Sequence, residues 1–110
     1  MNKKAMEKAL AAFMKNPFWR EYLETAPSEQ CKEYIKLEFY YSDLTIAGSD
    51  ERDEVAKAMQ QYESQFSVLD WKHLQKYAGN NPFWIKCKQK VEELSSVRGS
   101  ENVLYQIKPQ

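Results

Sequence analysis

The word Asn-Pro-Phe-Trp occurs twice, at Asn16–Trp19 and Asn81–Trp84, and each copy ends one run of helical periodicity and begins another. The residue before a proline is pushed out of the helical region by a clash with the ring, so a helix stops there. The same dipeptide then starts the next helix. The Asn side chain accepts a hydrogen bond from an otherwise unpaired amide of the first turn, and the φ of Pro is already fixed near the helical value. A chain punctuated in this way is committed to separate helices joined by short turns. The word is a local device and not the mark of a duplication. When the two copies are aligned, the flanks disagree: Lys8 falls opposite His73 and Glu21 opposite Lys86.

Between these stops the apolar residues recur at helical spacing. Met6, Ala9, Leu10, Phe13 and Met14 share one face of a first helix. A short aromatic second helix carries Phe18, Trp19, Tyr22 and Leu23, with the aromatics of the word expected to anchor it in the core, and it ends before Pro27. A third begins near Pro27 or Ser28 and runs to about Tyr41, with Cys31, Tyr34, Ile35, Phe39 and Tyr41 as apolar positions and Glu38 as an interruption. Phe39, Tyr40 and Tyr41 cannot share a face, because neighbours lie ~100° apart on a helix. One of them is exposed, or the helix end is wrapped on more than one side. Ser42–Ser49 reads as a loop.

Ser49 or Asp50 is placed to cap a fourth helix, with acidic residues crowding its first turn and Val55, Met59, Tyr62 and Phe66 as its stripe. Ser67 with Asp70 is a capping-box pattern for a fifth helix, which turns Leu74, Tyr77 and Ala78 inward and stops at Gly79. Trp84, Cys87, Val91 and Leu94 stripe a sixth, after which the alternating residues Asn102–Ile107 predict a short strand or an irregular tail over 99–110. The fold expected is all-α: one domain over 1–110, a compact bundle of five or six helices with antiparallel neighbours. Three glycines and four prolines are too few for a turn-rich all-β chain. A chain of this length buries roughly 65% of its unfolded surface, enough for a core without metal or disulfides.

Sixteen basic and sixteen acidic residues cancel, so no global field draws the chain to nucleic acid or membrane. Locally, residues 50–66 carry a charge of −3 and residues 70–98 a charge of +3, an unevenness that solvated helix faces ordinarily produce. Cys31 and Cys87 lie far apart on apolar stripes and read as buried free thiols of a reducing compartment, the cytoplasm. The opening segment is interrupted by Glu7 and Lys8 and does not read as a signal peptide. No run reaches the ~18 apolar residues of a membrane span.

The inventory offers no enzyme. The only histidine, His73, has Asp70 one helical turn away but no nucleophile placed by any motif, and reads as a surface residue. A single histidine excludes multi-histidine zinc sites, the acidic run Asp50–Glu54 lacks the spacing of a calcium loop, and three scattered glycines build no phosphate loop. No cofactor, metal or small-molecule ligand is expected.

Binding remains. Three Trp, seven Tyr and five Phe are many for so small a domain to hide, and Tyr and Trp favour interfaces. The leading expectation is therefore association with a protein partner or with a second copy, through Phe39, Tyr40, Tyr41 and Tyr105. A simple bundle core accounts for the same aromatics almost as well. The alternative is a DNA-binding regulator: residues 68–95 have the outline of a helix-turn-helix whose second helix presents Lys86, Lys88, Gln89 and Lys90. An interfacial membrane role for Lys3, Lys4, Lys8 and Lys15 around the first stripe is disfavoured, because such stripes usually face a core. Asn-Pro-Phe is also a peptide that adaptor domains of endocytic proteins bind, but in flexible loops, whereas both copies here open helices. The lysine- and glutamate-rich, glycine-poor style suits a small accessory or regulatory protein of a microbe.

Overall fold

The computed structural model describes residues 2–48, 50–79 and 82–106, with side chains described as far as 95 and not at 45–47. Six helices run through them: α1 Lys3–Met14, α2 Pro17–Glu24, α3 Glu29–Ala47, α4 Arg52–Glu63, α5 Val68–Tyr77 and α6 Pro82–Gln106. Among the described residues there is no strand, so the all-α class stands. The chain divides into two compact units, Met1–Phe66 and Ser67–Gln110.

In the first unit each helix begins on a side-chain cap or on a stated substitute. Asn2 Oδ1 accepts from the Ala5 amide at 3.0 Å. Asn16 Oδ1 accepts from the Phe18 amide at 2.9 Å, with Pro17 as the first helical residue, so the first Asn-Pro pair acts as the sequence predicts. The guanidinium of Arg20 reaches back and donates to the Met14 carbonyl at 3.0 Å, closing the end of α1 from within α2. Ser28 caps α3 through the Cys31 amide at 3.1 Å. α4 differs. Its N-cap is Glu51, which makes no capping bond, because its carboxylate takes the hydroxyl of Tyr40 instead. Asp50 precedes that position, and Ser49 lies outside the described residues.

α3 is longer than the sequence suggests. It passes through Ser42 and Asp43 and ends only at Gly48, whose φ of +74° gives the left-handed cap and whose amide bonds the Leu44 carbonyl at 2.7 Å. Polar residues do not break a helix without Gly or Pro, and burial of Leu44 extends the apolar stripe by another turn. Leu37, Tyr40 and Leu44 form a core cluster with Ala9 of α1 and Val55 of α4, against which Ala5, Met6, Tyr41, Ala58, Met59 and Tyr62 pack. The α1 stripe thus faces α3.

The second unit is a helix pair. Ser67 Oγ accepts from the Asp70 amide while Asp70 Oδ2 accepts from the Ser67 amide at 3.0 Å, the reciprocal capping box. Trp71, Leu74, Tyr77 and Ala78 are buried, and Gly79 turns the chain at φ +66°. Pro82 opens α6; its partner Asn81 lies outside the described residues. Within α6, Cys87 is buried, and Trp84, Val91 and Leu94 are half-buried. α6 does not stop at Gly99 but continues to Gln106, so residues 102–106 are helical where alternation predicted an extended tail; 107–110 lie outside the described residues. A lone internal glycine costs a helix only about 1 kcal/mol, less than is needed to end it without a following proline.

Replacing Ser67 by Ala removes one half of the capping box. The expected loss is about 1 kcal/mol of stability, read as a lower urea midpoint with an unchanged slope.

Candidate functional site

Two of the four aromatics expected at an interface, Phe39 and Tyr40, are placed differently from that expectation. Phe39 is 2% exposed and Tyr40 fully buried, so neither offers a surface. Phe39 stacks face to face on Phe13 of α1 with centroids 4.5 Å apart, and meets Trp19 and Tyr22 of α2 edge-on at 6.1 and 6.2 Å. Tyr40 points to the opposite flank, into the cluster with Val55 and onto Glu51. Tyr41 is half-buried against the same cluster. The side chain of Tyr105 lies outside the described residues. Of the two readings of Phe39-Tyr40-Tyr41, the helix wrapped on more than one side is the one realised.

One further expectation changes. Phe18 does not anchor α2 in the core but is 48% exposed, resting edge-on against Trp19 at 4.7 Å. His73 lies against the Tyr77 ring at 5.1 Å, while Asp70 Oδ2 is engaged by Ser67. Both cysteines are buried thiols outside any disulfide, as their stripes predict. Among the described residues no group of three or more His, Cys, Asp or Glu is placed to hold a metal ion, and no helix is long and apolar enough to cross a membrane.

The basic residues of α6 are accessible. Lys86, Lys88 and Gln89 are exposed, with the Lys88 ammonium 5.4 Å from the centroid of the Trp84 ring. Lys90 is half-buried and lies 3.9 Å from Glu93, whose opposite charge offsets it. Two large apolar side chains of the same helix pair also stand in water, Ile85 on α6 at 55% exposure and Leu69 on α5 at 65%.

One arrangement was not visible in the sequence. Three tyrosine hydroxyls inside the first unit each donate to a glutamate. Tyr22 of α2 donates to Glu38 Oε1 at 2.7 Å, Tyr34 of α3 donates to Glu63 Oε2 of α4 at 2.7 Å, and Tyr40 bonds Glu51. Glu38, which interrupts the apolar stripe of α3, is the one that answers to its surroundings most. Burial pushes its carboxyl up to about 7, the charge of Glu63 adds to the rise, and the Tyr22 hydroxyl holds it back. Burial likewise holds the Tyr22 hydroxyl well above its ordinary range, with Glu38 adding to it, and raises that of Tyr40, with Glu51 adding to it. The interruption in the stripe was the only sequence signal, and its partners are distant in the chain.

Comparison with family models, with curated proteins and with solved structures returns no match.

Removing the Phe39 ring tests its placement. Phe39→Ala is expected to cost about 3–5 kcal/mol of unfolding free energy, as for a buried aromatic, and to leave the mass seen by light scattering unchanged.

Proposed function

We propose that this chain is a non-catalytic helical protein that works by binding another protein, and that the α5–α6 pair carries the contact. The observation behind this reading is that two large apolar side chains, Leu69 on α5 and Ile85 on α6, are left in water, while Trp71 and Tyr77 are buried and Phe83 and Trp84 half-buried. Single exposed leucines and isoleucines are ordinary on protein surfaces. Here Ile85 stands between Trp84 and Lys86 and close to Lys88, an apolar anchor rimmed by positive charge. Interfaces are built in that way, with an apolar centre and a polar rim. The complementary surface is an apolar pocket edged with carboxylates. A dimer that set this face against itself would bring like charges together, so a different partner is favoured over a second copy. The test is affinity capture with wild type and a Leu69→Glu/Ile85→Glu variant whose melting curve is unchanged. A protein held by wild type and released at least tenfold more readily by the variant supports the reading; equal retention, or no specific capture, overturns it.

A second reading rests on the accessibility of Lys86, Lys88 and Gln89 along the first turns of α6, after a four-residue connection containing Gly79. On that reading the chain binds DNA. Affinity in a gel shift would then fall steeply with salt, and Lys86→Ala with Lys88→Ala would flatten the slope by about 2. Absence of any shift at low ionic strength removes it.

A further inference from the structure

The Met1–Phe66 unit places two carboxylates, Glu38 and Glu63, within each other's electrostatic reach on helices that pack together, and gives each a tyrosine hydroxyl from a distant part of the chain. The Tyr22–Glu38 bond ties α2 to α3, and the Tyr34–Glu63 bond ties α3 to α4. Tyrosine is a single donor, so neither hydroxyl can neutralise a full carboxylate charge. Two ionised carboxylates in a poorly solvated setting repel, and the cheapest relief is for one of them to keep its proton. Glu38 is that one.

We propose that Glu38 and Glu63, held by the hydroxyls of Tyr22 and Tyr34, form a proton-operated clasp between α3 and α4: with Glu38 protonated the two carboxyl groups sit together without repulsion, and when its proton passes to solvent their repulsion loosens the contact while the Tyr22 bond persists. The groups facing Glu38 are few. From α2 comes the hydroxyl of Tyr22, and from α4 the carboxylate of Glu63. On α3 itself Cys31 and Tyr34 act on Tyr22 and so on the pair. α1 presents Lys3 and Glu7 to α3, but beside Glu33 and Lys36, which lie roughly 140° and 200° round the helix from Glu38. Those two are already paired with each other at 3.0 Å.

The direction of the effect follows from linkage. A carboxyl whose folded value lies above its unfolded value contributes stability that is fully present at low pH and is lost as pH rises to the folded value. For Glu38 that window runs from the ordinary 4.5 to about 7. Its share of the folding equilibrium constant therefore falls roughly tenfold between about pH 6 and about pH 8. The clasp loosens towards alkaline conditions, opposite to the acid weakening that salt-bridged carboxylates produce.

Urea unfolding of the full chain across this range, for wild type and three variants, tests the clasp. Glu38→Gln keeps the acceptor for Tyr22 and every other ionisable group, and is expected to abolish the tenfold dependence and to be the more stable protein at the alkaline end. Glu63→Gln removes the repelling charge and moves the midpoint of the pH dependence down. Tyr22→Phe removes the bond that favours the ionised form and moves it up. Opposite midpoint shifts are something a merely structural hydrogen bond would not produce. Amide exchange in α4, corrected for its intrinsic pH dependence, should quicken with pH in wild type and not in Glu38→Gln. A wild-type profile superimposable on that of Glu38→Gln, or midpoints that do not move apart in the Glu63 and Tyr22 variants, overturns the proposal. If Glu38→Gln does not fold, those two midpoints decide alone.

Discussion

The first unit depends on α3 being buried on more than one flank at once. Phe39 and Tyr40, ~100° apart on the helix, are sent in different directions, one into the ring stack of α1 and α2 and the other to Val55 and Glu51 at the start of α4. Cys31, Ile35, Leu37 and Leu44 fill the remaining inward positions. A helix enclosed in this way cannot be a simple amphipathic element, and the polar groups it must carry have to be satisfied inside. The tyrosine–glutamate bonds meet that requirement. They place hydroxyls where a longer apolar chain would have left the glutamates without a donor, and no buried side-chain nitrogen or oxygen among the described residues lacks a partner.

The enclosure of α3 also takes up much of the chain's aromatic surface. Phe13, Trp19, Tyr22 and Phe39 form one continuous set of edge and face contacts at 4.5–6.2 Å, and Tyr34 meets Phe66 edge-on at 5.0 Å. Rings pack well around a central helix because each covers a large area in one rigid piece. Counting them says how much apolar surface a chain owns. It does not say which way the surface faces.

Local signals were the legible part. Asn16-Pro17, the Ser67–Asp70 box, Gly79 and the stripes of α1, α4 and α5 each act within a turn or two of the chain, and the structure follows them. The errors came where tertiary burial overrode a local cue. Ser42 and Asp43 look like a loop but sit in a helix whose next turn is held by Leu44; Asp50 looks like a cap but the N-cap position falls one residue later, on Glu51, whose side chain is drawn to Tyr40. Phe18, inside a word that reads as two core anchors, stands largely outside because Trp19 alone is turned towards Phe39. The Glu38 cluster was invisible for a different reason. Its members come from positions 22, 34, 38 and 63, and no spacing rule links residues that only folding brings together.

The place of Phe66 has a consequence for the order in which the chain takes shape during synthesis. Its ring closes on Tyr34, the neighbouring Gln65 carbonyl accepts from Gln30 at 3.1 Å, and Glu63 accepts from Tyr34, so the last contacts of the first unit are made by its last four residues. Every member of that set lies within Met1–Phe66. Because Ser67 starts α5 with a cap internal to that helix, the ribosome delivers one finished set of contacts before the first residue of the next has to be placed.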